Sequence, residues 1–90
     1  MADRKQPSPS SRPNRSTRPE KDADLVALGA RVRRLREAAG KTQEALAHDA
    51  ELHWTYIGQI ERGTRNPTYK NLLKLARGLG VDPERLLRVG

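Results

Sequence analysis

The 90-residue chain has no cysteine and no phenylalanine, and its only tryptophan and tyrosines are Trp54, Tyr56 and Tyr69. Without cysteine there are no disulfides and no thiolate metal sites, which fits a reducing compartment. No apolar run approaches the roughly 20 residues that span a bilayer. The N-terminus is basic, but it lacks the apolar segment of a secretory signal. With so few aromatics, the core falls to Leu, Ile, Val and Ala. Strand formers are scarce, so this composition suits a compact helical domain better than a β-sandwich. It also counts against modules that stack RNA or single-stranded bases on aromatic platforms.

Positive charge is plentiful. Eighteen Lys and Arg face 11 Asp and Glu, a net charge of +7. That balance suits a polyanion, either nucleic acid or an anionic membrane surface, without choosing between them. Composition divides the chain near residue 21. Residues 1–21 hold four of the six prolines and four serines. They also hold Arg4, Lys5, Arg12, Arg15, Arg18 and Lys21 against Asp3 and Glu20, a net +4 that leaves +3 for residues 22–90. Such a segment buries too little apolar surface to offset its ordering entropy, and a disordered tail is expected. Two readings of it stand: a solubilising leader, or a basic arm that touches phosphates or enters a minor groove.

Residues 22–90 read as one all-α domain. Leu25, Leu28, Val32, Leu35 and Ala39 form one apolar stripe at helical spacing. Asp22 or Asp24 can cap this first helix, and Gly40 ends it. Thr42 caps a second helix through about Asp49, with Leu46, Ala47 and Ala50 inward. A third runs from about His53 to Arg62 and stops at Gly63. Thr68 caps a fourth, with Leu72, Leu73, Leu75, Ala76 and Leu79 apolar, which Gly80 closes. Asp82-Pro83-Glu84 reads as cap, first-turn proline and first-turn acid of a fifth helix that carries Leu86 and Leu87.

Catalytic and metal chemistry find no footing. His48 and His53 have no cysteine or carboxylate cluster at ligand spacing, so no metal site is expected. There is no phosphate-cradling glycine loop and no nucleophile–base pair. The chain is expected to be no enzyme and to carry no cofactor.

The informative stretch is Thr42–Glu61, TQEALAHDAELHWTYIGQIE, a helix-turn-helix spanning about 42–62. Its two helices are joined by a turn too short for antiparallel packing, so they cross at a large angle. Together with LREAAGKTQEALA, YIGQIERGTRNP, NLLKLARGLGV and DPERLL, it resembles the lambda-repressor-like, Cro-type (XRE) family of helix-turn-helix transcriptional regulators over roughly residues 25–88. The resemblance implies a five-helix domain whose third helix enters the DNA major groove. The Thr55-Tyr56-Ile57 run is similar to the restriction–modification controller branch, which usually has Arg where Trp54 stands.

Helical angles assign the faces independently. With Ile57 inward and about 100° per residue, Ile60, Glu61 and His53 point inward, while Thr55, Gly58, Gln59 and Arg62 share the opposite side. Thr can meet a thymine methyl, Gln can pair bidentately with adenine, and Gly lets backbone approach. The base-contacting candidates are therefore Gln59 and Thr55, flanked by Trp54 and Tyr56. Trp54 has two readings: docking on the DNA edge or packing against the second helix. Arg62, at the far end, is expected on phosphate. The resemblance adds Gln43 as a phosphate ligand at a helix N-terminus, and Arg65, Asn66, Thr68 and Lys70 as backbone clamps. It also implies an Arg36–Glu61 structural ion pair. Glu51 stands where relatives commonly have a left-handed Gly, at a cost on the order of 1 kcal/mol.

The partner so implied is a double-stranded DNA operator, with no membrane or small-molecule ligand. The resemblance suggests a homodimer through the C-terminal helices, with Leu86-Leu87-Val89 as its surface, on half-sites about one helical turn apart. The expected location is the bacterial cytoplasm, on the nucleoid. Two other classes stay open: an antitoxin-type protein-interaction module with secondary DNA binding, and nonspecific nucleoid binding driven by charge.

Overall fold

The computed structural model describes residues 22–88. They form five helices: α1 (Ala23–Ala38), α2 (Gln43–Ala50), α3 (Trp54–Glu61), α4 (Tyr69–Leu79) and α5 (Glu84–Leu87). Among the described residues there is no strand, and no helix is long and apolar enough to cross a membrane. The tail expected over residues 1–21 and the Val89 expected at a dimer surface lie outside the described residues.

Short polar side chains start most of the helices by satisfying amides that have no helical partner. Of the two aspartates able to cap α1, Asp22 does so, accepting from the N–H groups of Asp24 (2.8 Å) and Leu25 (3.4 Å). Thr42 caps α2 through the Ala45 N–H (3.0 Å), and Thr68 caps α4 through the Asn71 N–H (3.1 Å). α3 starts one residue later than its pattern suggests. His53 is extended (φ −73°, ψ 143°) and serves as the cap, its ring accepting from the Thr55 N–H. A residue outside the helix does not follow the helical angle, so His53 is exposed rather than inward.

α5 also differs. Pro83, already at helical φ (−56°), occupies the cap position and no side chain caps the helix. Asp82 contributes its carbonyl instead, accepting from the Arg85 N–H at 2.9 Å. The helix is only one turn long, with Leu86 buried and Leu87 exposed.

α1 packs chiefly on α3 and α2 on α4, while α2 and α3 form the helix-turn-helix and α5 closes against α1 and α4. The core is aliphatic: Val32, Leu46, Ala47, Ala50, Ile57, Ile60, Leu75, Ala76, Leu79 and Leu86. Two glycines allow the close crossings. A Cβ on Gly29 would lie 2.3 Å from the Ile60 carbonyl oxygen, and one on Gly78 would lie 2.9 Å from the Ala50 Cβ. Only a hydrogen fits at the α1–α3 contact. The turn between α2 and α3 runs through Glu51 at φ 59°, ψ 44°. It is the only non-glycine with positive φ among the described residues.

Candidate nucleic-acid interface

The site is built around the two faces of α3. Its inward face carries Ile57 and Ile60, both with no solvent exposure, and ends in Glu61. Arg36 of α1 grips Glu61 with a fork: Nε donates to Oε2 at 2.7 Å and Nη2 to Oε1 at 3.1 Å. A third Arg36 donor, Nη1, reaches the Lys41 carbonyl at 2.8 Å. The side chains keep only 12% (Arg36) and 5% (Glu61) of their surface. The hydrogen bond to Glu61 holds the Arg36 guanidinium above its ordinary pKa, against the opposing effect of burial.

Gln43, at the first position of α2, joins the same junction. Its Nε2 donates to Glu61 Oε1 at 3.0 Å. Glu61 thereby ties α1, α2 and α3 together. Gln43 keeps one side-chain N–H and its backbone N–H at the helix start. Another bridge sits at the other end of α2. Lys41 Nζ donates to Asp49 Oδ2 and to the Gly78 carbonyl, both at 2.6 Å, fastening α2 to α4.

The outward face holds the expected readers. Trp54 is 52% exposed and stacks on His53, ring centroids 6.1 Å apart. Thr55 is exposed; its hydroxyl lies 2.8 Å from His53 Nδ1, which also accepts from the Thr55 N–H at 3.2 Å. Arg62 is exposed and Gln59 is half-buried. Gly58 is buried rather than exposed, because the Arg62 guanidinium and the Gln43 amide oxygen lie over it, 3.2 and 3.7 Å from where a Cβ would stand. A glycine has no side chain to project, so its long neighbours decide its exposure.

The loop after α3 returns across this face. Gly63 takes φ 78°, and the Thr64 N–H and hydroxyl both donate to the Gln59 carbonyl (3.0 and 3.1 Å). The turn brings Arg65 beside Gln59. Arg65 Nε and Nη2 donate to Gln59 Oε1 at 3.1 and 3.0 Å, and the guanidinium carbon lies 5.2 Å from the centre of the Tyr56 ring. The half-buried Tyr56 is held from behind, its hydroxyl accepting from Asn71 Nδ2 at 2.9 Å. Asn66, Thr68 and Lys70 are exposed along the rim, Thr68 with its hydroxyl engaged as the α4 cap. Asn71 as the partner of Tyr56 and His53 as a cap are not legible in the sequence. Neither has a local signal, since one contact spans 15 residues and histidine is an unusual cap.

A buried scaffold supporting a short helix with a polar outer face, one tight turn after a helix of equal length, defines a helix-turn-helix DNA-binding domain. Comparison with known proteins agrees. The family model described as "Helix-turn-helix domain" matches residues 27–89. Control protein C.BamHI of Bacillus amyloliquefaciens is 47% identical over 61 residues, covering 67% of this chain and 75% of that protein. The HTH-type transcriptional regulator y4dJ of Sinorhizobium fredii is 38% identical over 60 residues, 67% of this chain and 78% of that protein. Among solved structures, the restriction–modification controller protein C.AhdI from Aeromonas hydrophila is similar with a TM-score of 0.71 and 48% identity, over 72% of this chain and 98% of that one. The chain belongs to the helix-turn-helix family of transcriptional regulators. It is a DNA-binding regulator and not an enzyme.

Proposed function

We propose that the protein reads a double-stranded operator with α3 in the major groove, as a controller-type regulator similar to those of restriction–modification systems. The observation that carries this reading is the division of α3: Ile57 and Ile60 are sealed in the core while Trp54 and Thr55 face solvent, with Arg62 exposed at the helix's C-cap. Base contacts fall to Thr55, Gln59, Trp54 and Tyr56. Gln43 and the start of α2 meet one phosphate through the remaining side-chain and backbone N–H groups. Arg62, Asn66, Thr68 and Lys70 grip the flanking backbone, and Arg65 lies between the two sets.

The regulator binds as a two-fold dimer. An open groove of about 370 Å³ between α1, α5 and the loop before α4 is lined largely by apolar side chains, including Leu25, Leu28, Pro67, Leu72 and Leu87. Leu87, 55% exposed at its edge, is the α5 residue positioned for a partner, whereas Leu86 is 1% exposed and belongs to the core. Selection of bound duplexes from a random pool tests the whole reading. The expected consensus is palindromic, with half-site centres about one helical turn apart. Binding to it should exceed binding to scrambled DNA by at least roughly 1,000-fold at physiological salt. Equal affinity for the two would overturn specific recognition, leaving charge alone.

A further inference from the structure

The contact between Arg65 and Gln59 determines which base edge Gln59 can read. Arginine carries five N–H donors and no acceptor, so the Gln59 atom facing it must be the amide oxygen. Two donors, Nε and Nη2, converge on that oxygen at 3.1 and 3.0 Å, so it is turned toward a cation and a base donor would have to compete with both. The arginine is held there from two sides. Its guanidinium rests on the Tyr56 ring, which Asn71 fixes to α4. The loop that carries it is tied to the Gln59 carbonyl through Thr64. What Gln59 and Arg65 present without competition is therefore donors: the two Nε2 hydrogens and the unused guanidinium N–H groups.

Adenine pairing by glutamine needs one donor and one acceptor, because adenine offers N7 as acceptor and N6 as donor. Here the acceptor already faces two charged donors. Guanine offers two acceptors, N7 and O6, on its major-groove edge. We propose that Arg65 is a specificity-determining residue that makes Gln59 a donor-only reader, so that the base facing Gln59 is guanine rather than adenine. This rests on α3 lying in the major groove, as proposed above.

Duplex selection with the full chain, its Gln59→Ala variant and its Arg65→Ala variant tests the pairing. The position whose preference disappears in Gln59→Ala is the one Gln59 reads. With the unaltered chain that position should be guanine, favoured over adenine by roughly 10- to 100-fold. Inosine, whose major-groove edge matches guanine, should bind equally well, and 7-deazaguanine should lose most of the preference. Arg65→Ala frees the Gln59 oxygen and should move the preference toward adenine at that position alone. Adenine at that position with the unaltered chain would overturn the proposal. So would an Arg65→Ala variant that weakens guanine and adenine duplexes by the same factor, which is the behaviour of a phosphate clamp. A pool that enriches no sequence at all would instead overturn the operator-binding function itself.

Discussion

Glu61 and Gln59 lie two residues apart on α3, and each accepts from the Nε and Nη2 fork of an arginine. Around Glu61 the fork comes from Arg36, Gln43 adds a third donor, and the carboxylate keeps 5% of its side-chain surface. Around Gln59 the fork comes from the exposed Arg65, on the edge of the molecule. The donors are alike and the environments are not. In the interior, losing one partner strands a charge away from water, so the contact is structural. At the surface water can replace either partner, so the contact adds little to stability, and what keeps Arg65 beside Gln59 is the Tyr56 ring beneath it and the Thr64-tied loop that carries it.

The sharpest way to break the comparison is at the buried end. Glu61→Ala or Arg36→Ala should cost about 3–5 kcal/mol, leaving the domain largely unfolded in thermal or urea denaturation. Retention of the parent melting temperature would remove Glu61 from the scaffold. Next in size is Gly29→Ala. In an open helix this change adds stability, but here the new methyl meets the Ile60 carbonyl, and a loss of about 1–3 kcal/mol is expected.

Glu51→Gly should act in the opposite direction, raising stability by up to about 1 kcal/mol by relieving a left-handed non-glycine. A lowered melting temperature would mean that Glu51 makes a compensating contact. The smallest effect is expected at Asp49, 43% exposed, whose carboxyl is held below its ordinary pKa mainly by the Lys41 hydrogen bond, with His48 adding to it. Because the folded value is depressed, its contribution is complete above the ordinary aspartate pKa of about 3.9 and disappears as pH falls through the folded value. Asp49→Asn should therefore flatten the acid limb of the stability curve slightly. An unchanged acid limb would show the bridge to be inert.

The same contrast explains what the sequence could disclose. Caps at Thr42 and Thr68, the glycine stops and the aliphatic stripes are local signals, and they placed four of the five helices closely. The resemblance supplied the Arg36–Glu61 pair, which spans 25 residues and has no periodic trace. Readings failed where a side chain's neighbours, not its angle, set its exposure. Gly58 is covered by Arg62 and Gln43, His53 falls just outside its helix, and Leu86 turns into the core while Leu87 does not. The Arg65–Gln59 fork was illegible because it depends on how the loop turns at Gly63 and doubles back on the end of α3.

The proposed function divides α3 into one face that holds the fold and another that reads DNA. The most direct measurement is the affinity of Gln59→Ala for the selected operator and for a scrambled duplex at one salt concentration, with its melting temperature alongside. The expected result is a cognate-to-scrambled ratio reduced by roughly 10- to 100-fold, with stability unchanged within about 0.5 kcal/mol. Equal losses on both duplexes, or a collapse in melting temperature with the ratio intact, would contradict it.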